Sequence, residues 1–153
     1  MITVIKHERR LVYEKDGKIC FTAHCCLGNC PEGHKSREGD GRTPEGLYRV
    51  THINTRSKFH TALGISYPNR SDAKAALKEK RISLFECAAV VLSDIFRVRP
   101  PWKTPLGGFI MIHGADPEGR SGDWTAGCIA LDNVDIDTLA GYVKRGEPVR
   151  ILP

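Results

Sequence analysis

The sequence predicts a mainly β, α+β domain with two or three helices, and two observations predict it. Short β-prone runs bounded by Gly, Pro, Asn and Asp recur from the first residues to the last, and three longer stretches with helical apolar spacing or capping signals sit among them. No repeat, low-complexity segment or linker divides the chain. The whole of 1–153 therefore reads as one domain, long enough to bury its own core without metal or disulfide staples.

Residues 2–6, 11–14 and 19–25 form an opening meander, its last two strands joined by Lys15-Asp16-Gly17-Lys18, an Asp-Gly hairpin signal. Residues 28–42 turn to Gly, Pro, Asn and charge and read as a long loop, a kind of segment that tends to carry function. Thr43-Pro44-Glu45-Gly46 leads into a strand over 47–54, and 59–65 is the next strand, stopped at Tyr67-Pro68-Asn69. Ser71-Asp72 caps a helix through about residue 80. A second helix over 83–96 sets Leu84, Ala88, Val91, Leu92 and Ile95 near one face, to pack on the sheet or to wall a cleft. An apolar strand then ends on His113 and another begins after Cys128. Asp132 or Asn133 caps a helix to about residue 144, and residues 148–152 close the chain as a strand.

Composition excludes little: 41% hydrophobic and 27% charged residues are ordinary for a globular protein. A net charge of +5 favours anionic partners, but Lys and Arg are scattered with no block longer than a pair, which leaves a nucleic-acid site unsupported. No apolar run reaches the 18 residues of a membrane span, and no secretory signal stands out at the start. Six cysteines are too few for a disulfide scaffold. Cys26, Cys30 and His34 invite a metal reading but lack the paired C-x-x-C spacing of common zinc sites, so no metal is expected.

The chemistry concentrates between Gly108 and Asp132. G-F-I-M-I-H-G ends a strand on His113, and T-A-G-C-I-A-L-D starts the next at Cys128, fourteen residues intervening. A thiol is only slightly ionised at neutral pH, and an adjacent imidazole can take its proton to expose a thiolate. Gly127 lets the backbone turn tightly and brings bare N–H groups toward a carbonyl under attack. On spacing alone a second reading stands beside this one, in which Cys128 is a small buried hydrophobe and His113 an ordinary strand end.

I-H-G followed by T-A-G-C-I-A-L-D-N resembles the signature of the L,D-transpeptidase (YkuD-type) catalytic domain, a cysteine enzyme family of bacterial cell-wall metabolism. G-D-G-R-T-P-E-G-L-Y-R-V (39–50) is similar to the family's upstream motif, and S-K-F-H-T-A-L-G-I-S-Y-P-N (57–69) to the strand lining its cleft. The opening R-R-L-V-Y-E-K-D-G-K resembles its first strands, so the likeness spans nearly the whole chain. It implies a mixed two-sheet β-sandwich and a cysteine acyl-transferase acting on peptidoglycan stem peptides without cofactor.

Residue by residue, the resemblance makes Cys128 the nucleophile and His113 the base. The carbonyl of Gly114 holds the imidazole, and the N–H groups of Gly127 and Cys128 stabilise the oxyanion. His60 and Tyr67 fall in the cleft-lining segment as substrate contacts, and Trp124 and Thr125 border Gly127. Asp116 and Asp123, in the intervening loop, are candidates to orient His113. Many members carry His before the Gly-Cys pair and Arg two residues after the Cys. Here these are Ala126 and Ala130, and G-C-I-A-L resembles a smaller branch. That departure leaves the acceptor open between a wall peptide, a lysine of a wall protein and water, the last making the enzyme a carboxypeptidase or amidase. A non-enzymatic redox or binding module built on the cysteines near Cys26 is the alternative from another class. The family implies the cell envelope or periplasm, although with no signal in these residues a cytoplasmic location stays open.

Overall fold

The computed structural model describes residues 1–153. The chain runs β1 (Ile2–Ile5), β2 (Arg10–Lys15), β3 (Lys18–His24), β4 (Gly46–Ser57), β5 (His60–Ile65), α1 (Arg70–Lys78), α2 (Leu84–Ile95), β6 (Met111–His113), β7 (Ile129–Ala130), α3 (Asn133–Tyr142) and β8 (Pro148–Leu152). The meander forms as expected. Asp16 and Gly17, at φ of 52° and 73°, supply the pair of left-handed residues that a tight β2–β3 hairpin needs.

All eight strands join in one mixed sheet of order β3-β2-β1-β8-β4-β5-β6-β7. The two layers expected of a sandwich are the two halves of this sheet. They are joined by the long β4, which pairs antiparallel with β8 through Gly46–Arg49 and with β5 from Val50 onward, with register shifts that bend it. The sheet curls into a half-barrel. Its ends meet just past β3, where Cys26 and Ala130 exchange two backbone hydrogen bonds of 2.8 Å. Ile2, Val4, Leu11, Val149 and Ile151 from one half face Leu63, Ile65, Ile112 and Ile129 from the other, and Ile136 and Leu139 of α3 complete this core.

A second, smaller core lies between α1 and α2, where Ala73, Ala76, Ile82, Cys87, Val90 and Leu106 are buried together. This corrects the expected face of α2. Leu84, Leu92 and Ile95 lie outward and only Val91 of the apolar stripe is partly covered, because the small residues of α1 receive Cys87 and Val90 instead. Helix caps also shift. Asn69, not Ser71 or Asp72, caps α1, its side chain accepting from the N–H groups of both while Asp72 reaches back to the Asn69 N–H. Asp132 occupies the cap position of α3 without a side-chain bond, and Asn133 turns away to accept from Ala115 N–H at 3.0 Å.

Candidate active site

Strand alternation decides which side chains meet. Ile112 lies in register with Leu63 on one side and Ile129 on the other, and all three point into the core. Their neighbours therefore point to the opposite face: Met111 and His113 on β6, Ala130 on β7, and Cys128 just ahead of it. Nucleophile candidate and base candidate thus share one face of adjacent parallel strands, with Cys128 beside Met111 and diagonal to His113.

His113 is buried, with Phe59 stacked on its ring at 4.5 Å and Trp124 edge-on at 5.6 Å. Its Nδ1 lies 2.8 Å from the Gly114 carbonyl oxygen. A carbonyl can only accept, so Nδ1 carries the proton and Nε2 keeps its lone pair. Gly114 is itself pinned, its N–H donating to the carbonyls of Phe59 and Thr61 at 2.9 and 3.1 Å. Burial holds the imidazole below its ordinary pKa, against the opposing pull of the Gly114 bond and of Asp116. The ring is thus a neutral base at neutral pH.

Cys128 is half-buried and its thiol donates to the Phe109 carbonyl at 3.4 Å. Phe109 adopts a φ of 56°, which turns its carbonyl there at a conformation that bulky residues rarely take. Burial pushes the thiol up to about 11, partly offset by the Met111 N–H and by Lys35. The resting pair is therefore thiol and imidazole, not thiolate and imidazolium.

Gly127 has a φ of 128°, and a Cβ there would come within 2.5 Å of the Arg42 carbonyl oxygen. Only glycine lets the 39–50 motif cross the turn before Cys128 so closely. That motif is organised by Asp40, which accepts from Lys35 Nζ at 2.7 Å and from the N–H groups of Ser36, Arg37 and Arg42. These bonds hold its carboxyl down to about 2 despite burial. Of the two expected oxyanion donors, the Cys128 N–H has no hydrogen-bond partner in the chain, whereas the Gly127 N–H donates to Thr125 Oγ1 at 3.1 Å.

One family model, the YkuD L,D-transpeptidase catalytic domain, matches residues 1–151. The chain belongs to this family. The domain also superposes on solved members of the fold. Pgp2 from Campylobacter jejuni, described as a helical cell shape determining protein, matches with TM-score 0.66 and 25% identity over 98% of this chain and 46% of that one. Bd1075 from Bdellovibrio bacteriovorus gives 0.59 and 23% over 99% and 46%, and an Enterococcus faecium L,D-transpeptidase mutant 0.55 and 16% over 99% and 48%. The chain spans about half the length of these proteins. No curated protein sequence matches.

Within this L,D-transpeptidase domain the remaining expected contacts divide. Trp124 lies half-buried against His113 and Phe59. Thr125 is not open to a substrate: it is buried, and besides accepting from Gly127 its hydroxyl donates to the Cys128 carbonyl at 2.8 Å, which staples the nucleophile turn. Tyr67 is fully buried with its hydroxyl on the Leu106 carbonyl at 3.0 Å, a core residue. His60, at a left-handed φ of 66°, turns its Nε2 to Asp137 on α3 at 2.6 Å and so leaves the cleft. Asp123 binds Arg9 and the Leu27 N–H, and Asp116 binds Arg120, so neither hydrogen-bonds His113. The Cys26, Cys30 and His34 group is not assembled. His34 accepts from the Glu45 N–H and faces Asp72, and no three His, Cys, Asp or Glu side chains are placed to hold a metal.

Sequence reasoning passed over His52. It pairs with Gly64, which pairs with Met111, so the row His52, Gly64, Met111, Cys128 crosses the site face. Its ring lies over Gly64, in space that any larger residue would fill, and its Nδ1 is 2.9 Å from Thr51 Oγ1. The available signal was a glycine inside an otherwise apolar strand, a mark of close approach.

Proposed function

We propose that the domain is a cysteine acyl-transferase that cleaves peptidoglycan stem peptides through a thioester on Cys128. The observation that carries this reading is the Gly114 carbonyl on His113 Nδ1, which leaves Nε2 as a free base on the face that Cys128 shares. Nε2 takes the thiol proton as the sulfur attacks the carbonyl carbon of the L-centre of a diaminopimelate-type residue, so the thiolate forms as it is used. The Cys128 N–H, free of other partners, donates to the resulting oxyanion. Gly127 joins it once Thr125 releases that N–H. The carbon–nitrogen bond then breaks, His113 returns the proton to the leaving nitrogen, and D-alanine departs from a Cys128 thioester. An incoming amine, from a wall peptide or a protein lysine, attacks the thioester, gives its proton to His113, and the restored thiol completes the cycle. Water in place of the amine makes the same enzyme an L,D-carboxypeptidase. On this reading the domain works in the cell envelope, where its substrate lies.

Incubation with defined tetrapeptide muropeptides, followed by mass spectrometry, tests this. D-alanine should be lost, with new cross-links when an amine acceptor is supplied, and Cys128→Ala should do neither. Intact tetrapeptide after prolonged incubation with the parent protein would exclude the reading.

A further inference from the structure

The base packs in a cluster with two aromatic rings, each of which carries a cation. Phe59, Trp124 and His113 form a triangle of rings, with Phe59 and Trp124 themselves 5.5 Å apart, Lys58 Nζ sits 4.7 Å over the Phe59 ring, and the Arg120 guanidinium sits 4.8 Å over the Trp124 ring. The two cations differ in how they are held. Lys58 is exposed and carries no ion pair, whereas Arg120 is fixed by Asp116, whose side chain is only 1% exposed. Asp116 takes Arg120 Nε at 2.7 Å, Nη2 at 3.3 Å and the backbone N–H at 3.0 Å. Arg120 Nη1 has no partner, and the side chain remains 53% exposed. It lines a cavity of about 240 Å³ together with Trp124, Ala130 and Cys26. Ala130 is the register partner of His113 and Trp124 packs against its ring, so the cavity adjoins the base through these two residues, with His113 and Cys128 outside its lining.

Resting on the thioester reading above, the chemistry then orients the substrate. His113 must deliver a proton to the departing nitrogen, so the leaving residue lies on the His113 side of the sulfur. Its carboxylate is two bonds from that nitrogen. We infer that Arg120, oriented by Asp116 and Trp124, binds the free carboxylate of the leaving residue and sets the preference for a donor acid over its terminal amide. A guanidinium already anchored along one edge presents its remaining N–H groups without losing further side-chain freedom. The small Ala130 leaves the room for the group it binds.

The test uses the whole chain and two donors, a tetrapeptide with a free terminal carboxylate and its terminal carboxamide, with Arg120→Gln and Arg120→Lys beside the parent. A charge-assisted hydrogen bond predicts that kcat/KM for the acid falls by about 10- to 100-fold in Arg120→Gln. The carboxamide rate should stay within about threefold of the parent's, so that the acid preference collapses, and Arg120→Lys should recover part of it. Equal losses on both donors, or an unchanged acid-to-amide ratio, overturn the assignment while leaving the thioester reading intact. Turnover of neither donor by the parent protein overturns both.

Discussion

At the β6–β7 corner, Ile112 and Ile129 point into the core on one face and leave Met111, His113, Cys128 and Ala130 on the other. The α1–α2 pair does the reverse with similar material. Cys87 and Val90 face inward, and Leu84, Leu92 and Ile95 lie outward at 73%, 52% and 56% exposure. A strand in the middle of a sheet is pinned by hydrogen bonds on both edges, so the side on which each residue falls is fixed by counting in twos. A helix resting on one neighbour has no such constraint. Its burial follows whichever face fits the partner, and α1 buries Ala73 and Ala76 there, small residues that admit a close approach, with Leu77 partly covered beside them. The candidate site sits where orientation is determined from both sides.

The largest effects should therefore come from the corner. Cys128→Ala removes the proposed nucleophile but little packing, and should abolish thioester formation, at least about 10³-fold in kcat, with an unchanged thermal melt. His113→Gln should act nearly as strongly, because a thiol held up to about 11 is ionised only to roughly one part in 10⁴ at pH 7 without a base. Carbapenem-type β-lactams, as acyl donors, should add to Cys128 alone in intact-mass measurements. Rapid alkylation of Cys128 at pH 6 in the absence of acyl donor would show that the thiol is pre-ionised, and would break the contrast between a resting thiol and a reacting thiolate.

Next in size is the loop that crosses the nucleophile turn. Lys35 and Asp40 are 3% and 7% exposed, so Asp40→Ala strands a buried ammonium and should cost about 3–5 kcal/mol in denaturant unfolding. Asp40→Asn retains acceptor geometry without the charge and should cost less. A loss below about 1 kcal/mol for Asp40→Ala would mean that the loop reorganises without its hub.

Titration of the site should be visible as well. The folded pKa of His113 is depressed, so the unfolded chain binds its proton first as pH falls below about 6.5, and stability declines from there through the folded value. The folded pKa of Cys128 is raised, so the unfolded chain ionises first, and stability declines as pH rises from about 8.5 toward 11. Each limb has a slope of at most ~1.4 kcal/mol per pH unit. His113→Gln should flatten the acid limb and Cys128→Ser the alkaline one. Unchanged limbs in both variants would place these ionisations elsewhere.

The same division between strand and helix explains how much was legible in the sequence. His113, Gly127 and Cys128 stood out as candidates because strand ends and a bare glycine announce themselves locally, whereas Gly114 entered only through the resemblance to the family. The strand ladder was readable too, and only its joining into one curled sheet was not, since that depends on β4 serving two partners. Thr125 and Tyr67 have polar tips that suit a substrate equally well, and only their partners, the Cys128 and Leu106 carbonyls, decide that they are structural. His60 was lost to Asp137, some 77 residues away in sequence, a pairing no local pattern encodes. His52 and Arg120 were overlooked for the same reason: each matters through what it lies upon, Gly64 in one case and Trp124 in the other.

The smallest expected effect sharpens the comparison most directly, because it sets two apolar residues of one helix against each other. Val90 is fully buried against Ala73, Ala76 and Leu106, whereas Leu92 is half exposed two positions along. Val90→Ala should cost about 1–3 kcal/mol, since the methyl groups it loses leave a void that packed neighbours fill only partly. Leu92→Gln should lie within about 0.5 kcal/mol of the parent, since helix propensity barely changes and little apolar area returns to water. Both variants should turn over substrate at the parent rate per folded molecule, because neither residue touches the β6–β7 corner. If Leu92→Gln proved as costly as Val90→Ala in denaturant titrations of the isolated chain, the outward stripe of α2 would be covered in solution, and periodicity would have named the buried face correctly after all.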